Sequence, residues 1–158
     1  MTSSPLSHAA GTVAGEVAGH RVVLSYGDPV SEYEALRSGA MLVDRGDRMR
    51  MAFSGPQAPE TLTGLVTNDV VGLAPGEGQY AAALTAKGKI IADVRIFRQA
   101  DRLLVDVPPR AAEGWTAMVR KYVNPRLARY TDLSDTLRDV GVFGAQSRRI
   151  VAELTGVG

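Results

Sequence analysis

Side chains able to do chemistry are few in this chain, and they concentrate in one segment. From Ile90 to Arg98 it reads Ile-Ile-Ala-Asp-Val-Arg-Ile-Phe-Arg. Apolar side chains alternate there with charged or aromatic ones, the pattern of a β-strand with one face buried. Strict alternation puts Ile90, Ala92, Val94 and Ile96 on one face and Ile91, Asp93, Arg95 and Phe97 on the other. Asp93 and Arg95 then project side by side, near Phe97. On the following stretch, Arg102 and Asp106 share a face, so matching registers would gather four charges into one patch. Two chemistries fit such a patch. One is an ion-pair ladder facing water, worth ~0.2–1 kcal/mol per pair. The other is a polar wall for a small heteroaromatic ligand, with Phe97 or Tyr80 stacking on it. The residues alone leave both open.

Other chemistries are excluded more firmly. The 158 residues include no Cys and only two His, His8 and His20. Disulfides, a thiolate nucleophile and Cys-ligated metals are therefore absent, and a histidine-rich metal site lacks its ligands. No G-x-S-x-G elbow accompanies the two N-terminal histidines, so a serine triad is not indicated. Gly76-x-Gly78-x-x-Ala81 imitates a dinucleotide fingerprint, but a loop precedes it and a strand pattern follows, where a strand and then a helix are required. Gly88-Lys89 is followed by Ile90 where a phosphate loop needs Ser or Thr. Eighteen basic and 17 acidic residues leave a net charge of +1, which creates no field for nucleic acid or an anionic membrane. No apolar run approaches the ~20 residues of a membrane span. The first residues lack the basic start and apolar block of a secretion signal, so the chain reads as cytoplasmic.

The elements that must hold Asp93 and Arg95 follow from pattern and punctuation. Residues 1–19, rich in Ser, Ala and Gly, read as a flexible tail, and residues 20–158 as the folded domain. Val22 to Leu24 form a short strand. Asp28-Pro29 caps a helix carrying Val30, Tyr33, Leu36 and Ala40. Arg48 to Phe53 alternates as a half-buried strand, with Met49, Met51 and Phe53 inward. Leu62, Leu65 and Val66 mark a second helix. Three consecutive strands, Tyr80 to Thr85, Ile90 to Arg98 and Arg102 to Val107, are joined by turns too short for anything but antiparallel pairing. Trp115, Met118, Val119 and Tyr122 fall at i, i+3, i+4 and i+7, predicting a helix with Trp115 and Tyr122 as core or domain-contact residues. A strand over Leu127 to Thr131, another over Leu137 to Phe143 with Val140 and Val142 inward, and a helix ending at Gly156 complete the pattern. The class is α+β, with an antiparallel sheet and a ferredoxin-like βαββαβ lobe.

Several segments together resemble the glycine-cleavage T-protein (aminomethyltransferase) superfamily. They are Tyr26-Gly27 with Glu32, Ala35, Arg37, Ala40 and Asp44; Ser54-Gly55-Pro56; Leu65-Val66-Thr67-Asn68-Asp69-Val70; and Leu73-x-Pro75-Gly76 with Tyr80 and Leu84. The hairpin Lys87-Gly88-Lys89-Ile90-Ile91-Ala92-Asp93 and the run Val142-Phe143-Gly144-Ala145-Gln146 continue the series. They are colinear from about Gly19 to Gly156. The resemblance implies tetrahydrofolate as the ligand and one-carbon transfer as the chemistry, with Tyr80, Asp93, Arg95 and Phe97 as candidate folate-binding residues. It covers the N-terminal half of a family member only, so a homodimer or a second-half partner subunit is implied for a complete pocket. Where the family carries two consecutive Asp residues, the first being the functional one, this chain has Ala92 and Asp93. Ala92 and the Ala86-Lys87-Gly88-Lys89 turn look more like the YgfZ-type folate-binding branch. With Asp93 as the remaining catalytic candidate, the resemblance implies a folate-binding protein that is weak or inactive as a transferase alone. The alternatives are a folate-dependent aminomethyltransferase or demethylase, as a split subunit, and a truncated structural remnant.

Overall fold

The computed structural model describes residues 5–156, which divide into two compact units: residues 48–137, and the two flanking stretches on either side. Each unit is α+β with antiparallel strands.

The first unit is built from two ribbons and two helices. Strands β1 (Val13–Val17) and β2 (His20–Ser25) pair as a hairpin. Helix α1 (Pro29–Ser38) begins where the Asp28-Pro29 signal places it, the Asp28 carboxylate accepting from the Ser31 amide at 3.0 Å and the Ser31 hydroxyl at 2.8 Å. Strand β3 (Met41–Asp44) pairs with β9 (Val140–Phe143), a ribbon between stretches nearly a hundred positions apart that local sequence does not announce. Helix α4 (Ser147–Thr155) ends at Gly156 in a left-handed cap. The strand at Val13–Val17 corrects the reading of residues 1–19 as an unstructured tail: pairing with β2 orders a segment whose own composition is weak. Residues 1–4 of that reading lie outside the described residues. Val140 is exposed rather than inward. None of the described residues of this unit is buried, and Leu154 on α4 is 79% exposed.

The second unit holds the core. Strands β4 (Met49–Ser54), β5 (Gly78–Leu84), β6 (Ile90–Arg98), β7 (Leu103–Val107) and β8 (Arg129–Asp132) form one sheet in the order β5-β6-β7-β4-β8, every neighbouring pair antiparallel. Without β5, the order 6-7-4-8 is the split βαβ pattern of the ferredoxin-like lobe; β5 extends it as an edge hairpin. Helices α2 (Ala58–Thr63) and α3 (Ala112–Tyr122) cover one face. There Trp115 meets Phe53 edge-on, ring centroids 6.2 Å apart, among Leu62, Val94, Ile96, Val105 and Val119. Of the pair expected as core or domain-contact residues, Trp115 is core and Tyr122 is exposed.

Strand β4 is buried on both faces, not one. Arg50, opposite the Met51 and Phe53 side, is 3% exposed and Asp106 is 4% exposed. The Arg48 Nε–H straddles both Asp106 carboxylate oxygens at 2.7 and 2.8 Å. The Arg50 amide donates to Ser134 Oγ at 3.0 Å, its Nη2 to Ser134 O at 2.8 Å, and the Leu133 amide returns a bond to Arg50 O at 2.7 Å. Arg50 on this central strand and Arg48 just before it are tolerated here because each donates to oxygen partners.

Three outcomes follow from these contacts. Asp106→Ala, which removes the carboxylate that the Arg48 Nε–H bridges, lowers the unfolding free energy of the second unit by about 3–5 kcal/mol, read from denaturant midpoints. At Gly144, φ is +126° and a Cβ would lie 2.6 Å from Gly39 O and 2.7 Å from Leu36 O. Gly144→Ala therefore costs ~2–4 kcal/mol, seen as faster hydrogen exchange of the β3–β9 amides. The Ser31 hydroxyl, then its amide, holds the Asp28 pKa below 3.8. A depressed carboxylate contributes stability above its unfolded pKa and loses it as pH falls through the folded value. The Ser31 amide signal thus stays constant at neutral pH and shifts, with fraying of α1, only below about pH 4.

Candidate ligand-binding site

The sheet's second face carries the polar row. Register sets Tyr80 of β5 opposite Arg95 of β6, Arg95 opposite Asp106 of β7, and Asp106 opposite Arg50 of β4. One residue pair further along β6, Asp93 lies opposite Ala82; in the other direction, Phe97 lies opposite Gly78 and Leu104. Side chains on one face of adjacent strands touch at this spacing, so the four candidates Tyr80, Asp93, Arg95 and Phe97 share one surface.

The row is graded. Its β4–β7 end is closed around Arg50 and Asp106, and its β5–β6 end is open: Tyr80 is 61% exposed, and Asp93 and Phe97 are exposed as well. The Arg95 Nε–H donates to Tyr80 Oη at 2.7 Å, its guanidinium carbon stands 5.2 Å from the Tyr80 ring centroid, and Nε lies 4.0 Å from Asp106 Oδ2. Asp93 has no hydrogen bond or ion pair among the described residues. The Phe97 ring lies over Gly78, where a Cβ would come within 2.8 Å of it. Strand β5 is an edge, and Thr67 covers part of it: the Thr67 amide donates to Ala82 O at 2.9 Å and the Ala82 amide to Thr67 Oγ1 at 3.0 Å.

Two expectations change. Arg102 shares the face of Asp106 but, at the β6–β7 turn, makes no ion pair among the described residues; its Nε donates to Gln99 Oε1. Arg48 takes its place, because β7 pairs with β4, a long-range register no local pattern reveals. The strict alternation of Ile90 and Ile91 also fails. A bulge between Ala83 and Leu84 leaves β6 with an extra residue, so Ile91 packs on the core against Gly114 while Ile90 is exposed. Beyond the bulge the alternation holds. Ala92 is buried on the helix side, paired with Ala83, and Asp93 is on the open face. Position 92, where the resemblance places the functional acid, thus faces the apolar core, and Asp93 faces the open side.

Elsewhere the candidates thin out. A groove of about 330 Å³ on the helix-covered side is lined by Met49, Ala112, Glu113, Thr116, Ala117 and Arg120, and contains none of the site residues. No group of three or more His, Asp or Glu suited to a metal occurs among the described residues, and no helix among them is long and apolar enough to cross a membrane.

Relatives share this frame. The GCVT N-terminal domain family matches residues 5–157. An aminomethyltransferase of Saccharopolyspora erythraea is 29% identical over 154 residues, covering 95% of this chain and 41% of that protein. The gamma subunit of a heme-dependent oxidative N-demethylase of Ectopseudomonas mendocina is 29% identical over 126 residues, 80% of this chain and 33% of its own length. The crystal structure of the glycine cleavage system aminomethyltransferase T from Bartonella henselae superposes with a TM-score of 0.82 at 25% identity, over 94% of this chain and 41% of that one. The chain thus spans about two fifths of the length of the aminomethyltransferases it matches. With the match running from residue 5 to residue 157, the chain belongs to the GCVT N-terminal domain family.

Proposed function

We propose that the open face of the five-stranded sheet is part of a tetrahydrofolate-binding site, and that the chain is a folate-binding module of one-carbon metabolism. The observation that carries this reading is the gathering of Tyr80, Asp93, Arg95 and Phe97 on one exposed face, in a chain of this family. The residues fit such a ligand: an exposed aromatic ring for one of its flat rings, an uncommitted carboxylate for an amine, and a cation for oxygen atoms.

When bound, tetrahydrofolate supplies an amine that accepts a one-carbon unit. The chain's residues orient and exclude rather than react. Tyr80 offers a ring face, and Phe97, seated on Gly78, walls one end. The Asp93 carboxylate is free to hold a proton at a ligand amine, a role worth ~10²–10⁴ in rate where transfer occurs. The first unit, which buries no described residue, favours a site completed by a further polypeptide, either a second-half partner or a second copy. On that basis the chain alone is a weak transferase. A subunit role beside a demethylase is the second reading, favoured by the N-demethylase gamma-subunit relative.

Anaerobic calorimetric titration with tetrahydrofolate at two protein concentrations tests the proposal. Saturable binding is expected, tighter at the higher concentration if a second copy completes the pocket; no heat at either, with or without a second-half polypeptide, rejects it. Asp93→Asn should weaken binding by about tenfold or more with an unchanged melting temperature, the scale of one charge-assisted hydrogen bond. Unchanged affinity would remove Asp93 from the site.

A further inference from the structure

The pairing of Tyr80 with Arg95 leaves hydrogen-bond donors unspent. An arginine has five N–H groups and no acceptor, while a tyrosine hydroxyl both donates and accepts. Here Arg95 spends its single Nε–H on Tyr80 Oη, 2.7 Å away. That bond uses an acceptor lone pair of the hydroxyl, so the Tyr80 proton is turned toward some other acceptor. Neither that O–H nor the four Nη protons of Arg95 has a hydrogen-bond acceptor among the described residues. The charge is also incompletely matched. Asp106 lies 4.0 Å from Arg95 Nε but 2.7 Å from Arg48 Nε, so its carboxylate is committed chiefly to Arg48. The Arg95 side chain is 28% exposed and Tyr80 is 61% exposed, so both reach ligand.

We propose that Tyr80 and Arg95 together form a carboxylate-binding site on the open sheet face. Resting on the folate reading above, we assign to it a carboxylate of the ligand's glutamyl tail. A planar fork beside a hydroxyl proton matches the two oxygens of a carboxylate. The fork is held by Tyr80 Oη and the nearby Asp106 before ligand arrives, so little rotamer freedom is lost on binding. Asp93, two residues back on the same strand and roughly 7 Å away, sets the polarity: the ligand's amine lies toward Asp93 and its carboxylate toward Arg95.

The test compares three probes by titration: tetrahydrofolate, 6-methyltetrahydropterin, which lacks the glutamate, and p-aminobenzoylglutamate, which lacks the pterin. The proteins are wild type, Arg95→Lys, which keeps a charge beside Asp106, and Tyr80→Phe, which keeps the ring. Both variants should weaken tetrahydrofolate and p-aminobenzoylglutamate by about tenfold or more and leave 6-methyltetrahydropterin within about twofold, with melting temperatures unchanged. Equal weakening of all three probes, or of none, overturns the carboxylate assignment while leaving folate binding standing. Wild-type binding of p-aminobenzoylglutamate that depends on Arg95, with no binding of either pterin, keeps the carboxylate site and rejects the folate reading. No binding of any probe rejects both.

Discussion

Asp106 carries its carboxylate into a position 4% exposed to solvent, on the sheet face that has no helix over it. An isolated buried charge costs several kcal/mol. It persists there because the Arg48 Nε–H bridges both oxygens and Arg95 approaches from the neighbouring strand. Asp106 belongs to β7, between β4 and β6, so the pair also reports the register of the sheet's middle strands. A one-residue slip would turn Asp106 toward Trp115 and the core, and a whole set of apolar side chains outward. The β6–β7 register brings Arg95 beside Asp106, and the β5–β6 hairpin independently brings it beside Tyr80.

The two faces divide the labour. Trp115, Phe53, Leu62 and the valines of β6 and β7 supply the cohesion of the second unit. The other face tolerates charges because each buried one has a partner, Arg50 Nη2 on Ser134 O and Asp106 on Arg48. The bulge opposite Leu84 marks where the strict two-residue period of β6 begins, turning Ala92 inward and Asp93 outward. The acidic position open to a ligand is set by that phase.

Much of this frame was legible in the sequence. The Asp28-Pro29 cap is local chemistry, and α1 begins there. The three-strand meander follows from short turns, and the alternation of Asp93, Arg95 and Phe97 placed them on one face correctly. Arg102 keeps the face its spacing gives it, but at the turn end of β7 it bonds Gln99 rather than another charge of the row. Arg48 went unnoticed as an Asp106 partner because 58 residues separate them. Strand β3 and the strand at Val13–Val17 carry weak patterns, and their order comes from pairing partners rather than propensity.

Composition alone removed thiol, disulfide and histidine-rich metal chemistry, since a chain without cysteine and with two histidines lacks those ligands wherever it folds. Periodicity determined which side chains alternate on β6, because the pleat has a fixed period of two. Which face lies open, which cation meets Asp106 and which donors remain beside Tyr80 were decided only by tertiary structure. Those depend on strand order and register, and both are settled by contacts between residues far apart in the chain, where local sequence exerts no preference.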